Sequence, residues 1–82
     1  MGVLADHVDM AGFAFEPSQV TLEQGSDLTV TNKDSVTHTF TMDDGSIDET
    51  LEPGQTADVT IASAGGFHCD IHKSMTGTVS FG

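Results

Sequence analysis

Apolar residues in this chain fall at every second position over short runs, and glycine or proline interrupts each run before it lengthens. Side chains along a strand alternate between the two faces of a sheet, so this is the pattern of strands with one buried face. His7 to Met10 reads as a short edge strand. Phe13 and Phe15 follow and are expected to share a face, until Glu16-Pro17-Ser18 breaks the run. Val20 with Leu22, then Leu28 with Val30, alternate with polar residues as two further strands on either side of a Gln24-Gly25 turn. Val36 to Met42 sets His38, Phe40 and Met42 on one face. A polar connection from Asp43 to Glu52 comes next, tacked down by Ile47 and Leu51, and Pro53-Gly54 turns into a strand whose inward face is Ala57, Val59 and Ile61. Phe67 to Cys69 and Thr76 to Phe81 close the set, the latter with Val79 and Phe81 on one face and Gly77 permitting a close approach. No window of useful length shows helical amphipathicity. About seven short strands punctuated by turns predict an all-β fold, an antiparallel Greek-key β-sandwich formed by residues 1–82 as a single domain.

Composition narrows the partners. The chain has 82 residues and carries 13 Asp and Glu against two Lys, a formal net charge of -11. Such a surface repels nucleic acid and acidic membranes, which require cationic contacts, and leaves a basic protein surface as the complementary partner. The acids are scattered, which also fits a surface kept soluble or adapted to salt. No apolar run reaches the roughly 20 residues of a membrane helix, so no direct membrane insertion is expected. The Met1-Gly2 start reads as an addition to a mature or trimmed domain. One cysteine rules out an internal disulfide and leaves a thiol that is buried, reactive or metal-bound.

Candidate chemistry concentrates in Cys69-Asp70-Ile71-His72-Lys73-Ser74-Met75. Thiolate, imidazole and thioether are soft and borderline donors that suit copper better than a hard cation. His38 lies 31 positions upstream, on a strand face that also carries apolar side chains, and a histidine pointing inward needs a ligand or a hydrogen bond. Two His, one Cys and a weak Met are the ligand set of a mononuclear blue-copper centre. His38, Cys69, His72 and Met75 are therefore the candidate metal ligands, holding one copper ion that cycles between Cu(I) and Cu(II). Zinc accepts Cys and His but does not seek a thioether. A Cys–His nucleophile would leave Met75 without a role, so no enzymatic activity is expected.

With these residues in place, the chain resembles the cupredoxins, the small blue-copper proteins, and most closely their amicyanin and plastocyanin members. The resemblance rests on Phe13-x-Phe15-x-Pro17, the Gly25 turn, Asn32-x-Asp34 with His38 four positions on, Leu51-Glu52-Pro53-Gly54-Gln55-Thr56, and Gly66-Phe67-His68-Cys69 through Met75-Thr76-Gly77-Thr78-Val79. The Cys-x2-His-x2-Met spacing is the short, amicyanin-like one. It implies a trigonal plane of His38, Cys69 and His72 with Met75 as a long axial ligand, and a surface-proximal His72 as the electron exit, collared by Ile71, Met75 and Met10. It also implies a monomer that works outside the cytoplasm, in the periplasm or at the cell exterior, between a protein electron donor and an acceptor. Two positions depart from the pattern. Thr39 stands where the family often has Asn, and its hydroxyl is expected to take over that residue's bracing bond. Asp70-Ile71 replaces the common Thr-Pro, which brings a carboxylate near the metal.

Other readings attach to other residues. His68 is expected to be hydrogen-bonded or solvent-facing, since it points opposite to Cys69. His7 to Met10 reads as an ordinary strand with Met10 packed beneath the loop; the alternative, His7 and Met10 catching Cu(I) at the surface, motivates together with the acidic surface a second function, a copper chaperone or resistance protein. Asp43, Asp44, Asp48, Glu49 and Glu52 form a candidate docking patch or a solvated loop. A trimmed scaffold without a partner of its own is a third reading.

Overall fold

The computed structural model describes residues 6–82, and the Met1-Gly2 start lies outside them. Among these residues nine strands form two sheets: β1 (His7–Ala11), β2 (Ala14–Glu16), β3 (Gln19–Leu22), β4 (Asp27–Asn32), β5 (His38–Met42), β6 (Asp48–Leu51), β7 (Thr56–Thr60), β8 (Gly65–His68) and β9 (Thr76–Phe81). One sheet has the order β2-β1-β4-β7 and the other β3-β9-β8-β5-β6. Alternation drives the packing. Val8, Met10, Phe15, Leu28, Val30 and Val59 from the first sheet meet Val20, Leu22, Phe40, Met42, Leu51, Phe67 and Val79 from the second, all buried. At the centre Phe15 stands edge-on to Phe40 and Phe67. No helix among the described residues is long and apolar enough to cross a membrane.

The all-β sandwich is thus as the alternation predicts, with differences in detail. β1 is flanked by β2 and β4 and is not an edge strand. It pairs with β4 in parallel, as β3 does with β9, whereas the other pairings are antiparallel. Phe13 and Phe15 do not share a face, because Gly12 and Phe13 form the two-residue turn of the β1–β2 hairpin, both with φ near +60°. A turn of that left-handed kind resets the alternation, so Phe15 is buried while Phe13 is 52% exposed. β6 lies within the stretch read as a connection. It is a polar edge strand exposed except at Leu51, which leaves alternation no apolar partner to reveal it. Ile47 and Leu51 do anchor it as expected.

Gly77 makes the close approach its position suggests. A Cβ there would run into the Phe67 ring and the Ser18 carbonyl oxygen. This tight contact seats β9 beside β8 directly after the loop 69–75, and so fixes where that loop begins and ends.

Candidate metal centre

His38 opens β5, Cys69 follows the last residue of β8, and Met75 precedes the first residue of β9. β5 and β8 pair with Thr41 opposite His68 and Met42 opposite Phe67, which brings the start of β5 beside the end of β8. The loop folds back on itself. Cys69 N–H donates to the Met75 carbonyl at 3.1 Å, and Met75 N–H donates to the His72 carbonyl at 2.9 Å. The result places donors from residues 31 positions apart at one end of the sandwich.

Their atoms converge. His38 Nδ1 and His72 Nδ1 lie 3.1 Å apart, and Cys69 Sγ is 3.9 Å from each. A triangle with those sides has its centre about 2.1 Å from every corner, against metal–nitrogen and metal–sulfur bonds of about 2.0 and 2.3 Å for a first-row ion such as zinc. His38, Cys69 and Met75 are essentially fully buried, and His72 is half-buried. Two imidazoles and a thiol, with a buried methionine closing the same loop, suit copper better than zinc. The arrangement of His38, Cys69, His72 and Met75 is compatible with one copper ion.

The surroundings orient each donor. His38 Nε2 lies 2.8 Å from Asp34 Oδ2. A carboxylate only accepts, so Nε2 carries the proton and Nδ1 presents its lone pair to the centre. Asp34 also accepts Gly12 N–H at 2.8 Å and Phe13 N–H at 2.9 Å. The Phe13 N–H first, and then the His38 ring, hold the Asp34 carboxyl below its ordinary range. Asn32, fully buried, shapes this loop by accepting Asp34 N–H and donating to the Val36 and Leu51 carbonyls. Cys69 Sγ accepts Thr39 N–H at 3.3 Å and His72 N–H at 3.4 Å.

Two sequence expectations are met beside the sulfur. Thr39 Oγ1 does brace the ligand loop, accepting Asp70 N–H at 2.8 Å. His68 is hydrogen-bonded away from the centre, between Asp43 through Nδ1 and Asp70 through Nε2. The Asp43 bond above all raises its pKa, against the opposing effect of desolvation. The Asp70 carboxylate is thus engaged by an imidazole and does not stand free beside the sulfur.

One expectation fails. The collar is not Ile71, Met75 and Met10: both methionines are buried, because each occupies an inward position of the sandwich. Among the described residues the exposed large apolar side chains are Phe13, Ile71 and Val36, at 52%, 52% and 37%. The Phe13 ring packs edge-on against His72 at 5.0 Å and His38 at 5.7 Å between centroids. Met10 packs into the core from β1, as the ordinary-strand reading expects, while His7 contacts Asp9. The sequence marks Asp34 and Phe13 only as motif positions and does not reveal these roles. The spacing of Asp34 four residues before His38 is the one local signal, and nothing local marks a phenylalanine in a left-handed turn.

Residues 5–80 match the cupredoxin-like domain family. The chain belongs to that family. Solved cupredoxins share its fold. A reduced tryptophan-to-tyrosine variant of amicyanin superposes with a TM-score of 0.81 at 21% identity, covering 100% of this chain and 86% of its own. A reduced proline-to-phenylalanine variant of amicyanin gives 0.80 at 23%, covering 95% and 82%. A copper-containing nitrite reductase from Thermus scotoductus SA-01 gives 0.77 at 21%, with all of this cupredoxin matching 23% of the longer chain. No curated protein sequence matches significantly.

Proposed function

We propose that this cupredoxin is a single-domain, monomeric one-electron carrier in which His38, Cys69, His72 and Met75 would hold one copper ion. The observation that carries the reading is the closed triangle of two Nδ1 atoms and one Sγ with sides of 3.1, 3.9 and 3.9 Å. When bound, copper supplies the one-electron couple. Asp34 holds His38 in the tautomer that offers Nδ1, and the N–H groups of Thr39 and His72 hold the sulfur. Strand and loop thus hold these donors in place, which would keep reorganisation small when the copper gains or loses an electron. His72 leaves its Nε2 unbonded among the described residues, beside exposed Ile71 and Phe13. That edge is the electron exit, and the apolar side chains around it let a partner approach closely. The acidic residues Asp48, Glu49 and Glu52 suit a donor or acceptor with a basic docking surface. Electron carriage between proteins outside the cytoplasm is the setting we assign.

Addition of one equivalent of Cu(II) to the purified protein tests this. An intense sulfur-to-copper charge-transfer band with narrow copper hyperfine splitting is expected, and Cys69→Ser is expected to lose both while remaining folded by circular dichroism. A colourless adduct with an ordinary tetragonal signal, or a Cys69→Ser variant that stays blue, overturns the assignment.

A further inference from the structure

Thr39 and Thr41 occupy the outer face of β5, yet both are buried, at 6% and 8% exposure. Their hydroxyls lie 3.1 Å apart. Beyond Thr41, at 3.0 Å, is Oδ1 of Asp48, its partner across the β5–β6 pairing. Beyond Thr39, at 2.8 Å, is the backbone N–H of Asp70. The ends of this chain fix its direction. A peptide N–H can only donate and a carboxylate can only accept. Asp70 N–H therefore donates to Thr39, Thr39 to Thr41, and Thr41 to Asp48. Thr41 has one proton to give, and the Asp70 carboxylate oxygen at 3.4 Å is the weaker claimant beside Asp48.

A threonine hydroxyl is ordinarily a free rotor. Here the carboxylate at one end orients both hydroxyls, and each donated proton makes its oxygen a better acceptor for the next. The Thr39 lone pair is left aimed at Asp70 N–H, which belongs to the peptide plane joining Cys69 to Asp70. The same Thr39 donates its own N–H to Cys69 Sγ. One residue of β5 thus grips Cys69 on both sides, at its sulfur and at the peptide that follows.

We propose that Asp48, on the exposed edge strand β6, is a positioning residue for the Cys69 sulfur, acting through Thr41 and Thr39. The consequence for copper rests on the metal reading above, while the relay itself does not. Two measurements separate them. In the metal-free protein, amide hydrogen exchange of Asp70 reports the relay directly, with Val59 in the opposite sheet as the control for global stability. Thr41→Val keeps the shape and removes the hydroxyl. It is expected to speed Asp70 exchange roughly 2- to 10-fold, the equilibrium worth of one hydrogen bond, with Val59 unchanged, and Thr41→Ser is expected to restore the wild-type rate. Asp48→Ala, a change on the exposed strand, is expected to have a similar effect, and the double variant Thr41→Val with Asp48→Ala to add nothing to either single change.

In the copper-loaded protein, Thr41→Val is expected to shift the reduction potential although no charge changes, and Thr41→Ser to return it. Wild-type Asp70 exchange in Thr41→Val, or additive effects of the two substitutions, overturns the relay. An intact relay with an unmoved potential in Thr41→Val overturns its link to the sulfur. Failure to bind copper at all falls on the metal reading alone, since the exchange arm is complete without metal.

Discussion

Asp34 shows how much one side chain organises. Its two oxygens accept from Gly12 N–H, Phe13 N–H and His38 Nε2, so the same carboxylate sets the tautomer of His38 and holds the turn that presents Phe13. Asparagine in its place has a single acceptor oxygen and turns an NH2 group toward the remaining donors. Asp34→Asn is therefore expected to destabilise the metal-free protein by about 1–3 kcal/mol, the penalty of leaving a buried donor unpaired, as read by urea denaturation. Farther from the centre, Asp44 accepts both the hydroxyl and the N–H of Ser46, and these bonds hold its carboxyl below the ordinary 3.8. A carboxyl lowered by folding stabilises the fold above its unfolded value, and that contribution is lost as pH falls through the lowered one. Carboxylate NMR titration of Asp44 is expected to give a midpoint below 3.8, and Ser46→Ala to move it upward by removing the larger of the two bonds.

At the level of strands and turns, Gly77 is the position where β9 tolerates no side chain. Gly77→Ala must displace the Phe67 ring or the backbone at Ser18 and is expected to cost about 1–3 kcal/mol, as overpacking does, with the displacement visible as shifted Phe67 ring resonances. That Gly77 permits a close approach was legible in the sequence, as were the strands that alternate strongly, because a buried face writes apolar residues at every second position. β6 was not legible, since an edge strand with three exposed residues writes no such pattern. The metal centre divides the same way. Cys69, His72 and Met75 announce themselves by their spacing within one loop, and His38 by standing on an apolar face. The roles of Phe13, Thr41 and Asp48 depend on which strands lie side by side, and alternation carries no information about neighbours. The inner place of β1 was hidden for that reason as well.

For the whole molecule, size and metal act together. A chain of 82 residues buries only about 60% of the surface its unfolded form exposes, so a ligand that binds the folded chain alone adds visibly to its stability. The Cu(I)-loaded protein is expected to melt at a higher temperature than the metal-free one, and His38→Ala to abolish most of the difference, as read by calorimetry. The parallel pairing of β3 with β9 carries a further consequence, for the order of assembly. Gln19 meets Thr78 and Leu22 meets Phe81, so the strand that ends the ligand loop is locked by one from the first third of the chain. Contacts of such long sequence separation form late and make folding slow, typically milliseconds to seconds. The loop can offer Cys69, His72 and Met75 to an ion early, but His38 joins them only once β5 has docked beside β8. On the proposed copper reading the full set of four donors exists only in the folded chain, so loading is expected to follow folding and the bound ion to slow unfolding.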